Sequence, residues 1–189
     1  MAYVGTEVLF RCRATGYPAP VISWRKGAVP VSSLDSERIQ ILKNGDLRII
    51  DIKQKDNDVY SCFATNWVGP MHTVEARLAV IVPVSISVSP KNKTVSPGED
   101  VKITCKSGGV PSPIVEWYKD NSLISKQGRV RVSRTDVVIS QVQPSDSGYY
   151  QCSGRNNYSG ASDQMYLYVV KREGTYGLRD VIFLINLCC

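Results

Sequence analysis

The chain has 189 residues, of which 43% are hydrophobic and 21% charged, with a formal net charge of +6. This composition excludes a disordered chain. No apolar run approaches the roughly 20 residues that cross a bilayer as a helix. Nothing at the amino end reads as a secretory signal. The charge is distributed as +2 over residues 1–82, +3 over 83–170 and +1 from Lys171 onward. No segment is a basic arm, so nucleic acid is not the expected partner.

The first predicted element is the alternating stretch Val8, Phe10, Cys12, a period of two that marks a half-buried strand. Trp24 follows twelve residues after Cys12, then the turn signal Asn44-Gly45, the stretch Leu47-Arg48-Ile49, and the run Asp56-Asn57-Asp58-Val59-Tyr60-Ser61-Cys62. The series then begins again. Shifted by 93 positions, Gly5, Cys12, Gly16, Pro18, Pro20 and Trp24 fall on Gly98, Cys105, Gly109, Pro111, Pro113 and Trp117. Shifted by 90, Asp56, Tyr60 and Cys62 fall on Asp146, Tyr150 and Cys152. One unit is therefore written twice, with a three-residue slip expected in a surface loop. Val101, Ile103 and Cys105, and later Val130 and Val132, repeat the strand pattern, and helical periodicity is nowhere persuasive. The apolar segment from Leu78 to Ile86 contains no glycine and is expected to pass from the last strand of one unit to the first of the next with little slack.

These elements resemble the immunoglobulin superfamily, and within it the intermediate or I-set, over residues 1–170. The likeness rests on Cys12, Trp24, the run ending Tyr60-Ser61-Cys62 and the turn Ala64-Thr65-Asn66-Trp67-Val68-Gly69, and on their second copies at Cys105, Trp117 and Asp146 to Cys152. It implies an all-β fold of two tandem sandwiches, 1–82 and 83–170, followed by a non-domain tail, 171–189. It also implies bridges Cys12–Cys62 and Cys105–Cys152, with Trp24 and Trp117 packed on them and Tyr60 and Tyr150 as tyrosine corners. Arg38 and Arg129 stand where the family pairs an arginine with the acid before the last tyrosine, here Asp56 and Asp146. Only eleven residues precede Cys12, so the first domain is expected to lack its first strand and leave a sheet edge uncovered. A fragment or shortened isoform fits that reading. Asp58 departs from the pattern, because the second copy has Gly148 there.

Motifs for chemistry are sparse. His72 is the sole histidine and has no cluster around it, so neither a metal site nor a catalytic triad is expected. The cluster Asp56-Asn57-Asp58 reads as a solvated turn, because calcium wants six or more oxygens arranged around it. No cofactor is implied, and the chain reads as a non-enzyme. Asn92-Lys93-Thr94 and Asn157-Tyr158-Ser159 are glycosylation acceptor triplets. Cys188 and Cys189 end the tail; a lipid anchor there is weak, and an intermolecular disulfide somewhat better.

Two surfaces are candidates for binding. Tyr17 and Trp67 belong to loops expected at one pole of the first domain, as anchors for a protein ligand or co-receptor. The competing reading folds both rings back onto their own loops, or lays Trp67 over the sheet edge left by the missing first strand. Lys126, Arg129, Arg131 and Arg134 form a basic patch suited to a sulfated glycan such as heparan sulfate, although isolated surface basics are common. The resemblance extends to the ectodomains of muscle-specific receptor tyrosine kinases, receptor tyrosine phosphatases and neural adhesion molecules. It implies an extracellular or cell-surface binding module that meets a membrane only through a parent protein. The alternative is an intracellular titin-like spacer whose cysteines stay reduced.

Overall fold

The computed structural model describes residues 1–170. The tail 171–189, with Cys188 and Cys189, lies outside the described residues. Strands β1 to β8 are Ala2–Tyr3, Val8–Phe10, Val21–Lys26, Val29–Pro30, Ile39–Ile41, Leu47–Ile49, Asp58–Thr65 and His72–Leu78. Strands β9 to β17 are Val80–Ser89, Asn92–Val95, Val101–Val110, Ile114–Lys119, Ser122–Leu123, Val130–Val132, Asp136–Ile139, Gly148–Arg155 and Gly160–Val169. Three single 3-10 turns complete the regular structure, and the described residues contain no α-helix. Backbone packing divides the chain into two units: Met1–Ser85 with Ser107–Ile114 and Gly154–Ala161, and Ile86–Lys106 with Val115–Ser153 and the described residues from Ser162.

Alternation dictates the first sandwich. In β2 the side chains of Val8 and Phe10 turn inward while Leu9 turns out, and in β6 Leu47 and Ile49 are buried around half-exposed Arg48. One sheet has the order β2-β6-β5 and the other β4-β3-β7-β8. Their inner faces share a core of Trp24, Leu47, Ile49, Ile52, Tyr60 and Leu78 around the Cys12–Cys62 pair. Register is pinned along β3 and β7, from Val21 opposite Thr65 to Lys26 opposite Tyr60.

The second sandwich repeats the plan with more strands. Its sheets run β9-β11-β15-β14 and β10-β17-β16-β12-β13. Its core contains Trp117, Ile103, Ile139, Tyr150, Met165 and Leu167. The two copies differ at one edge. Strand β11 has β15 on one side and β9 on the other, whereas β2 has β6 on one side and, among the described residues, no strand on the other. Among the described residues this sheet therefore has three strands. What precedes β2 is only β1, whose Ala2 and Tyr3 pair parallel with Val80 and Ile81.

The three-residue slip falls in two surface connections. Ile41 and Leu47 are register partners, as are Val132 and Val137, so the turn between β5 and β6 is one residue longer than its copy. The remainder lies between β3 and β5. That longer turn has a packing consequence. It brings the Gly45 carbonyl to Trp24, whose Nε1–H donates to it at 2.9 Å, whereas Trp117 Nε1 is buried with no partner among the described residues.

Candidate functional site

Each sandwich is locked by the same set of groups. Disulfides join Cys12 to Cys62 and Cys105 to Cys152, closing spans of 50 and 47 residues. In the chain-entropy model each contributes about 4 kcal/mol by restricting the unfolded chain. Tyr60 Oη donates to the Asp56 carbonyl at 3.0 Å and Tyr150 Oη to the Asp146 carbonyl at 2.8 Å. Burial, reinforced by the neighbouring aspartates, raises both phenols well above the usual tyrosine range, so they stay neutral donors.

The carboxylates beneath them are ion-paired. Arg38 Nη1 reaches Asp56 Oδ2 at 3.0 Å, and Arg129 Nη1 reaches Asp146 Oδ2 at 2.9 Å. Burial pushes Asp56 and Asp146 up, but the arginine and the backbone N–H of Lys53 or Gln143 outweigh it, and both carboxyls lie below the ordinary aspartate value. Arg129 also donates to the carbonyls of Ser140 and Gln141. Its guanidinium is therefore occupied, and the basic surface expected from Lys126, Arg129, Arg131 and Arg134 rests on the three exposed members other than Arg129.

The loop pole of the first domain is organised by a residue that sequence reasoning passed over. Asn66 Nδ2 donates to the Pro18 carbonyl at 3.0 Å, and its Oδ1 accepts from Val68 and Gly69 N–H at 3.3 and 2.9 Å. One amide thus folds its own turn and ties it to the loop carrying Tyr17. Asn156 does the same to Pro111, Tyr158 and Ser159, so the 90-residue offset itself was the signal. Also in the first domain, Asp46 is buried and accepts from Cys12 N–H, Asn44 Nδ2 and Arg13. The Arg13 guanidinium leads in holding the Asp46 carboxyl below its usual value. The two aromatic rings on these loops face outward: Tyr17 is 96% and Trp67 85% exposed. Between the loops lies an open cleft of about 360 Å³ walled by Arg13, Pro20, Asn66, Pro70 and His72.

Asn92 and Asn157 are both exposed, and the Ser159 hydroxyl of the second triplet accepts from Val84 N–H at 2.8 Å. Among the described residues no group of three or more His, Cys, Asp or Glu is placed to hold a metal ion. No helix among them is long and apolar enough to cross a membrane.

Comparison with known proteins agrees with this geometry. Residues 1–80 match the immunoglobulin I-set domain and residues 83–156 the immunoglobulin domain family model. The chain is 37% identical to human peroxidasin homolog over 169 residues, which is 87% of this chain and 11% of that protein. It is 34% identical to mouse protogenin over 167 residues, 88% of this chain and 14% of that protein. It therefore spans a small part of the length of these relatives. The peroxidasin likeness covers only that part.

Among solved structures, the four amino-terminal immunoglobulin domains of Dscam1 isoform 6.9 superpose with a TM-score of 0.77 at 28% identity, covering 89% of this chain and 42% of that one. The insect immune protein hemolin, whose domain arrangement is described as having implications for homophilic adhesion, gives 0.70 at 26% identity over 89% and 44%. A titin fragment, A168169, gives 0.66 at 28% identity, covering 90% of this chain and 93% of that chain. Two bridged sandwiches with paired tryptophans, tyrosine corners and matching domain models place the chain in the immunoglobulin domain family, its amino-terminal half in the I-set.

Proposed function

We propose that the chain is an extracellular protein-binding module of the adhesion or receptor type, and that Tyr17 and Trp67 are its principal contacts. The observation that carries this is the outward placement of both rings on loops that Asn66 fixes to each other. Large aromatics on a preorganised surface lose little conformational freedom on binding, and such residues dominate interface energetics. The likeness to hemolin and to Dscam1 supports an adhesive role. A sulfated glycan is a secondary ligand for Lys126, Arg131 and Arg134.

The test is binding of the labelled chain to the surfaces of cultured cells, with Tyr17→Ala and Trp67→Ala as variants. Each is expected to weaken binding by about tenfold or more, with an unchanged unfolding midpoint because neither ring is buried. Binding that survives the double substitution would sink the assignment. A second reading, an intracellular spacer, is favoured by the titin pair, of which this chain covers 93%. It requires the four domain cysteines to be thiols in the cell.

A further inference from the structure

The outer face of the β10-β17-β16-β12-β13 sheet, in the second domain, carries a cluster of three tyrosines that the core does not use. In β17 Met165, Leu167 and Val169 are buried, so Tyr166 and Tyr168 between them turn outward, and in β16 Tyr149 turns outward between buried Gly148 and Tyr150. Tyr149 meets Tyr166 edge to face with ring centroids 4.7 Å apart, and Tyr166 meets Tyr168 at 4.3 Å. Tyr149 is 51% and Tyr168 46% exposed. At the 90-residue offset Val59 stands in the place of Tyr149, so the sandwich closes without that ring. The three phenol hydroxyls have no hydrogen-bond partner among the described residues.

This cluster borders an acceptor triplet. The edge strand β10 pairs parallel with β17, setting Asn92 opposite Tyr166 and Thr94 opposite Tyr168. Residues opposite one another share a face, and so do alternate residues of one strand, so Asn92, Thr94, Tyr166 and Tyr168 all stand on the outer face while Val95 is buried. The Asn92 amide has no hydrogen bond among the described residues. Asn157 has a different setting. Its triplet lies in a turn closed by Asn156 N–H on the Ser159 carbonyl at 2.9 Å, and the Ser159 hydroxyl is already taken by Val84 N–H.

We propose that Asn92 carries an N-linked glycan whose first N-acetylglucosamine lies on the rings of Tyr166 and Tyr168. The proposal rests on the extracellular reading above, since the acceptor must meet an oligosaccharyltransferase of the secretory pathway and its lipid-pyrophosphate-linked oligosaccharide. In that transfer Asn92 Nδ2 forms a bond to C1 of the first sugar and gives up one proton. The C1–O bond to the pyrophosphate breaks, and its electron pair leaves on that oxygen. A pyranose presents a face of C–H groups, and seating that face on an aromatic ring removes apolar area of both from water. The sugar's hydroxyls and acetamido group stay at the rim, within the donor and acceptor repertoire of the phenols. The glycan therefore ties β10 to β17 across the edge of the sheet.

The test uses the full chain with Asn157→Gln, sent through the secretory pathway of cultured cells by an added cleavable leader and trimmed by an endoglycosidase to the first sugar. The expected mass exceeds that of the polypeptide by one N-acetylglucosamine, and Asn92→Gln removes the increment. The sugar's ring protons are expected to move upfield, as they do above an aromatic face. Amides of β10 and β17 should exchange about fivefold more slowly than in Asn92→Gln. Tyr166→Ser combined with Tyr168→Ser should abolish both effects, and the same pair placed on Asn92→Gln subtracts what the substitutions themselves do to folding. Sugar protons at their solution positions, or a slowing of exchange that persists without the two tyrosines, would overturn the proposal. Secretion with both bridges formed and Asn92 unmodified would overturn it while leaving the extracellular reading intact. Recovery of the four domain cysteines as thiols from the chain's own cells would overturn both.

Discussion

Asp56 shows how a buried charge is tolerated in a small sandwich. Its side chain is 2% exposed and that of Arg38 10%, while the copy at Asp146 and Arg129 is wetter, 12% and 31%. Removing one partner of a buried pair leaves the other charge without compensation, which costs several kcal/mol; water relieves the cost where it has access. Arg38→Ala should therefore destabilise the first domain by roughly 3 kcal/mol, and Arg129→Ala the second by about 1 kcal/mol. The pH dependence has a definite sign. Asp56 has a folded pKa below its unfolded value, so its contribution is present above about pH 4 and is lost as pH falls through the folded pKa. Denaturant titrations between pH 2 and 7 should show a flatter acid limb for Asp56→Asn than for the parent. Identical slopes would mean that the pair contributes nothing.

At the scale of single residues, much of the plan was legible. The cysteines, tryptophans, tyrosines and both arginine–aspartate pairs could be placed from spacing and family likeness. The Asp58 departure could not be explained that way, because its partner lies in a distant turn, between β3 and β4. In the second domain Gly148 has φ +147°, and a Cβ there would stand 2.5 Å from an Asp120 carboxylate oxygen, while the same carboxylate accepts from Tyr149 N–H at 2.9 Å. In the first domain the pair is exchanged: Gly27 replaces Asp120, and Asp58 supplies the carboxylate to Val59 N–H at 2.8 Å. The same backbone donor is satisfied either from its own strand or from the facing turn, and only the contact shows it.

Among elements, the edges matter most. The strand pattern of Val8, Phe10 and Cys12 was readable in the sequence, yet nothing in it showed which backbone groups face β6; the bonds of Cys12 and Thr6 do. Strand β2 has one neighbour and β11 has two, so β2 should open at lower free energy. Native-state hydrogen exchange at concentrations where the chain is monomeric is expected to find the β2 and β6 amides exchanging sooner than those of β11 and β15. Equal protection, or the reverse order, would show that the uncovered edge carries no penalty. The aromatic loops were legible as positions only. Whether Tyr17 and Trp67 turn outward depends on the Asn66 amide, which has no signature within one copy and emerges only when the two copies are superposed.

For the whole molecule, the proposed function rests on what the two sandwiches present and on a compartment in which their bridges persist. The described residues offer no metal cluster, and Tyr17 and Trp67 stand among their most exposed large side chains. The proposed binding module and the alternative reduced spacer would use the same fold, which this chain shares with both Dscam1 and titin. They differ in the state of four sulfur atoms. Disulfides persist in oxidising compartments and are rare where thiol reductants are maintained. Peptide mapping of the chain taken from its own cells, alkylated at once and digested without reduction, decides between them. The account predicts Cys12 linked to Cys62 and Cys105 linked to Cys152; recovery of these four cysteines as alkylated thiols would contradict it.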